Sequence, residues 1–252
     1  MTTSPFLTLS GAVPAEALDL GVAGHYGNPI VEQRKLERGD AVVDLSDRGL
    51  VVVAGPDRRS WLHSMASQAV DRLDPGESAE ALLLDASGHI EHAVHIIDDG
   101  ESSWLIVEGA EAAPLAAFLD RMRFMLRVEV ADRSAEFAVI AAMSLEALDA
   151  AAPAAAPAGV ALDWTDPWAS PPPGAHQYAD PSGHPASAWH WIERIVPRAA
   201  LADADTRAGI AAVAPDIRGQ AGRLPPARPV RLHDVEGFAN AHTLGRWGPV
   251  RI

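Results

Sequence analysis

The chain has 252 residues, 48% of them apolar, enough to bury one large or two small hydrophobic cores, so a folded globular protein is expected. A formal net charge of -14 excludes a duplex nucleic-acid binder, because counterion release needs a basic footprint rather than an acidic envelope. Cysteine is absent, which removes disulfides, thiolate metal ligation and a cysteine nucleophile together. The start, Met1 to Ser10, has neither a cationic n-region nor an apolar h-region. No later apolar run approaches the ~18 residues of a membrane span, so a cytoplasmic protein without membrane contact is expected.

In chain order, His25 to Pro29 reads as a turn, followed by a short charged helix ending at Gly39. Strands are expected at 41–45 and 49–54, then a Gly55-Pro56 turn and a helix with Asp57 as N-cap and Trp61, Leu62 and Met65 on one face. Ala81–Leu84, Ile90–Ile97 and Trp104–Val107 form a strand meander, with a hairpin at Ser87-Gly88 and a turn at Asp98-Asp99-Gly100. Leu115, Phe118, Leu119 and Met122 recur at i, i+3, i+4, i+7, a helix burying one face. That helix is expected to feed directly into a strand ending near Asp132, and a strand at 137–142 to complete a strand-helix-strand unit.

Residues 146–175 are rich in Ala and Pro and read as a loop or linker. Alternation returns at Ser187–Val196, and Pro197 opens a helix. Residues 203–252 carry frequent Arg, Pro and Gly without a lasting period and read as an irregular, disordered tail. The expected core is Leu50, Val52, Leu62, Leu83, Ile90, Leu105, Val107, Leu115, Phe118, Leu119, Met122, Val128, Val139 and Ile192.

Three strings carry a resemblance: Asp44-Leu45-Ser46-Asp47-Arg48-Gly49, Gly55-Pro56-Asp57 followed by Trp61-Leu62, and Gly88-His89-Ile90. In this order and at these distances they resemble the amino-terminal part of the aminomethyltransferase (glycine-cleavage T-protein) superfamily, and most closely its YgfZ-like branch of folate-binding proteins. The resemblance implies an α+β fold, mixed and antiparallel sheets flanked by helices, and tetrahydrofolate as ligand. It further implies support of iron-sulfur enzymes, with iron-sulfur proteins as partners, or of tRNA modification. It stops at about Ala202: the Lys-Gly-Cys motif and carboxy-terminal barrel of the family do not follow, and no cysteine occurs anywhere. The domain reading is therefore a folate-binding-like body over 15–145, the linker, a second incomplete domain over 176–202, and the tail.

His89, His92 and His95 invite a metal reading, but on a strand His89 and His95 share a face while His92 points to the other, so no metal site is expected. Where the transferase branch keeps two adjacent carboxylates after its hairpin, this chain has His92 and Ala93, with Glu91 displaced by one residue onto the opposite face. Trp104 is the aromatic chosen to stack on a pterin ring, with rim packing as the plainer alternative. The expected folate contacts are Ser87, Gly88, His89, Glu91, His92 and Trp104; no catalytic residue is assigned. The leading expectation is a folate-binding YgfZ-like protein shortened at its carboxy end. An aminomethyltransferase-like one-carbon transferase, a non-catalytic binding module and a frameshifted product are the alternatives.

Overall fold

The computed structural model describes residues 3–15, 21–85, 87–167 and 190–202; the tail 203–252, the end of the linker and Trp189 lie outside the described residues. Its strands are β1 (Val13–Pro14), β2 (Ala23–His25), β3 (Val42–Asp44), β4 (Gly49–Ala54), β5 (Ser78–Leu84), β6 (Ile90–Asp98), β7 (Ser102–Val107), β8 (Glu129–Asp132), β9 (Phe137–Ala142), β10 (Asp163–Thr165) and β11 (Ile192–Pro197). Its helices are α1 (Pro29–Glu37), α2 (Arg58–Met65), α3 (Ala112–Met122), α4 (Leu145–Ala151) and α5 (Arg198–Ala202). The fold is α+β, as expected.

Two sheets stack face to face. One has five strands in the order β5-β6-β7-β4-β8, the other four in the order β10-β11-β9-β3, and all their pairings are antiparallel. Because each sheet is covered on both sides, its strands read as continuous apolar runs, and all of Leu50 to Val53 is buried. Leu50 and Val52 join Ile97, Trp104, Val139, Ile195 and Trp164 in the core between the sheets. Val51 and Val53 face outward onto α2 and α3 through Trp61, Leu62, Leu115 and Leu119. The outer face of the four-stranded sheet packs Ile140, Ile192 and Val196 on α4 and on Phe6 and Tyr26 of the amino-terminal segment.

Local chemistry sets most element ends. Asn28 accepts from the N–H of Val31 and Pro29 opens α1, while Ser144 caps α4 through the N–H of Ala147. Asp57 precedes α2 but makes no side-chain cap; its carboxylate instead accepts from the backbone N–H, Nε and Nη2 of Arg127 at 2.9, 3.1 and 2.8 Å. Of the expected core, Ile90 and Phe118 are half-buried and Met122 is 38% exposed, because the last turn of α3 overhangs the sheet; the others are buried.

The structure corrects three sequence expectations. Residues 146–167 are not a plain linker: α4 buries Ala147, Leu148 and Ala151, and β10 buries Trp164. Alanine methyls allow close approach to a sheet, yet in an alanine-rich stretch they leave no hydrophobic period to read. β11, expected in a second domain, lies between β9 and β10 and pairs Ile192 to Pro197 with Ala142 to Phe137, inside the sheet that also holds β3. α3 does not run straight into β8; residues 123–128 intervene, and β8 and β9 belong to different sheets.

Gly55 joins β4 to α2 at φ +108°, and a Cβ there would stand 2.2 Å from the carbonyl oxygen of Arg127. Gly55→Ala is expected to lower unfolding stability by about 2 kcal/mol or more in urea titration, since both the left-handed backbone and the close approach forbid a side chain. An unchanged midpoint would remove this contact as a determinant of the fold.

Candidate functional site

The β5–β6 hairpin closes on itself. Asp85 Oδ1 accepts from the N–H of Ser87 and His89 at 2.7 and 2.8 Å, and its Oδ2 meets His89 Nδ1 at 2.9 Å. Ser87, Gly88 and His89 are exposed, and nothing lies within 4 Å of where a Gly88 Cβ would be. A register shift opposite Leu83 and Leu84 passes over Glu91, leaving it exposed, and restarts the ladder at His92. Beyond this bulge His92 faces the helices and His95 faces the other sheet. His92 Nδ1 lies 2.9 Å from Glu111 Oε2, with its ring 5.8 Å from that of Phe118.

Trp104 corrects the expected pocket. It pairs with Ile97, seven residues along β6 from Ile90, which places it about 23 Å from the hairpin at a strand rise near 3.4 Å per residue. It is 3% exposed, donates its indole N–H to Asp99 Oδ2 at 2.8 Å, and meets Phe137 edge-on at 5.0 Å. No ring face is open for stacking, and the hairpin residues and Trp104 do not form one site.

A polar centre that periodicity did not reveal joins the two sheets. His95 stacks on Trp164 at 3.7 Å and 4°, and its Nδ1 lies 2.9 Å from Glu193 Oε2. Glu193 also accepts from Trp191 Nε1 at 3.0 Å, and Glu80 Oε1 stands 3.8 Å from His95 Nε2. Burial alone would raise the Glu193 carboxyl, but His95, Arg48 and the Trp191 indole outweigh it and hold it down at about 2. The one available signal was a charged residue interrupting the alternation of residues 187–196. On the outer face of the four-stranded sheet, burial pushes the Asp44 carboxyl up despite its bonds to Ser4 and Ser46.

At one end of the sandwich a cavity of about 400 Å³ opens between the β3–β4 loop, the start of α3, the β8–β9 loop and α5. Its volume falls in the range of small-molecule sites. Arg48 forms part of the wall and pairs with Glu108 at 3.0 Å, its side chain 1% exposed. Arg198 ties two loops together, donating Nε to the Ser134 carbonyl and Nη2 to the Ser46 carbonyl at 3.1 and 3.0 Å. Its Nη1 is buried and has no hydrogen-bond partner among the described residues. Burial pulls the Arg198 guanidinium down, opposed by Asp44 and Asp47. Gly109 makes the closure possible, as a Cβ there would meet the Asp47 carbonyl oxygen at 2.0 Å. Glu111, the partner of His92, sits in the chain between the lining residues Gly109 and Ala112. Arg48 and Arg198 were not among the expected contacts, although Arg48 lies in the first motif and Arg198 directly follows Pro197.

Compared with known proteins, the chain is aminomethyltransferase-like in sequence and in fold. It is 27% identical over 144 residues to the aminomethyltransferase of Pseudomonas syringae pv. tomato, covering 55% of this chain and 39% of that protein. With the aminomethyltransferase of Nitrosococcus oceani it shares 26% over 125 residues, 49% of this chain and 33% of that one. The glycine cleavage system aminomethyltransferase T of Bartonella henselae has the same fold at a TM-score of 0.57 and 16% identity, over 88% of this chain and 60% of that chain. The chain thus spans well under half the length of the two aminomethyltransferases it matches in sequence, and 60% of the matched structure. No family model matches the chain. No described helix is long and apolar enough to cross a membrane.

The polar centre predicts a pH dependence. A carboxyl held at about 2 against an ordinary 4.5 adds stability that is fully present above about pH 4.5 and is lost as pH falls toward 2. Glu193→Gln is expected to cost about 1–3 kcal/mol near neutrality, because it weakens the buried hydrogen bonds that the carboxylate accepts from Trp191 and shares with His95. It should also flatten the acid limb of the stability curve. The difference between the two proteins isolates Glu193, since Asp44 is common to both. Parallel acid limbs in denaturant titrations would show that Glu193 is not held ionised.

Proposed function

We propose that the protein binds tetrahydrofolate in the cavity walled by Arg48, Gly109 and Arg198, as an aminomethyltransferase-like folate protein. The sequence similarity over 144 residues carries this reading. A cavity of suitable volume, walled by cationic and carboxylate side chains, supports its location. A reduced folate supplies ring nitrogens able to accept a one-carbon unit. This chain supplies polar partners: the guanidinium of Arg198, whose Nη1 has no hydrogen-bond partner among the described residues, and the carboxylates of Asp47 and Asp132, acceptors of the kind that pterin amino groups need. Transfer itself needs an acid or base beside the ring. With His92 standing where the transferase branch has a carboxylate, the His92–Glu111 pair is the group we assign to hold or move a proton there.

The YgfZ-like reading, folate binding in support of iron-sulfur enzymes or tRNA modification without glycine-cleavage chemistry, is favoured by one observation. The adjacent carboxylates of the transferase branch are replaced by His92 and Ala93. Turnover separates the two. Formation of methylene-tetrahydrofolate that disappears in Glu111→Gln supports the transferase; binding without turnover supports the other.

Calorimetry with tetrahydrofolate tests the site itself. Arg198→Ala is expected to weaken binding about tenfold, the loss of a charged hydrogen bond. Ala113→Trp, at an exposed position of the wall, should fill the cavity and abolish binding while leaving the fold unchanged by circular dichroism. Binding indifferent to Ala113→Trp would move the site elsewhere, and no binding at millimolar ligand would end the folate reading.

A further inference from the structure

We infer that the tip formed by residues 122–127, between α3 and β8, is a self-association surface on which a second copy of this chain docks. Phe124 and Met125 are 82% and 97% exposed, more than any other large apolar side chain among the described residues. Leu126 at 41% and Met122 at 38% extend the same patch. Contiguous exposed apolar surface of this kind marks interaction sites far more often than isolated exposed residues do.

The tip is built and held. Asp57 clamps its base with three hydrogen bonds from Arg127, Gly55 lies bare beneath the Arg127 carbonyl, and the N–H of Leu126 returns to the carbonyl of Arg123 at 2.9 Å. Phe124 adopts φ +44°, a left-handed backbone that a bulky aromatic takes only at a cost. Glycine or asparagine would make this turn more cheaply, and the phenyl ring gains little burial against the described residues of its own chain. A second copy supplies that burial.

Area and charge select this occupant. Side chains of this size expose ~150–250 Å² each when free, so the tip offers on the order of 500 Å². Two tips facing each other across a two-fold axis bury on the order of 1,000 Å², the lower bound of a specific interface and short of an obligate one. The chain as a whole carries -14 and its copies repel. At the tip, Arg121, Arg123 and Arg127 balance Asp57, Asp120 and Glu129, with Arg123 on Asp120 at 2.9 Å and Arg127 on Asp57 at 2.8 Å. Two copies therefore approach there with little local repulsion, and added salt favours the contact by screening the net charge of the rest.

Sedimentation velocity on the whole chain from about 10 µM to about 1 mM tests this across the range of weak association. A reversible dimer that strengthens with salt is expected. Phe124→Gly should raise the dimer Kd about tenfold or more, the loss of a central aromatic anchor, while thermal stability holds or rises because glycine relieves the left-handed strain. Met125→Ser should weaken the dimer in the same direction. A chain that stays monomeric throughout, a dimer indifferent to both substitutions, or a monomer that instead floats with phosphatidylcholine vesicles through Phe124 would overturn the proposal.

Discussion

The imidazole of His95 and the carboxylate of Glu193 meet between the two sheets, and the arrangement of the layers turns on that contact. His95 comes from β6 of the five-stranded sheet and Glu193 from β11 of the four-stranded one, so the pair spans the core rather than lying within one layer. Burying two polar groups this deeply costs several kcal/mol in desolvation unless every remaining donor and acceptor is met. Trp191 serves Glu193 and Trp164 covers the imidazole face, while the buried His95 Nε2 has no hydrogen-bond partner among the described residues and stands 3.8 Å from Glu80 Oε1. Trp164 also donates its indole N–H to the Ala79 carbonyl at 2.8 Å, pinning β10 to β5. A directional pair with stacked aromatics adds a geometric constraint between the sheets that an apolar core of equal volume would lack.

The cavity follows from that stacking. Its four wall segments come from the β3–β4 loop, the start of α3, the β8–β9 loop and α5, and they converge only when both sheets are stacked in this orientation. Arg48 connects the two places: it belongs to the cavity wall and its buried side chain pairs with Glu108, while its charge helps to hold Glu193 ionised. A ligand that engages Arg48 would thus act on the same charge network that joins the sheets.

Much of the scaffold was legible. The valine-rich run at 50–53, the Ser87-Gly88 hairpin, the short charged helix after the turn at His25 to Pro29 and the apolar stripe of α3 each write their structure in local chemistry, and each is present, though the expected cap at Asp57 is not. The site was harder to read. Trp104 has the composition of a stacking platform, but its indole satisfies Asp99 and its ring is spent on Phe137. Arg48 and Arg198 stand far apart in sequence, and no spacing rule brings them to one wall. The β-bulge at Glu91 was not legible either; His92 and His95, both beyond it, take opposite faces as alternation requires, while His89 stands in the turn before the strand.

The sequence by itself determined the elements: which stretches extend, which coil, where turns fall, and that strands apolar on both sides must be covered on both sides. It also carried the likeness to aminomethyltransferases through motifs that are local in the chain. Tertiary structure alone decided that β11 enters between β9 and β10, that an alanine-rich stretch packs as α4, that His95 meets Glu193, and that a cavity opens beside Arg198. The division has a physical basis. Capping, turns and periodicity are set by neighbours within a few residues, whereas sheet order, ion pairing and cavities depend on groups that chain folding brings together from 98 residues apart, the separation of His95 and Glu193.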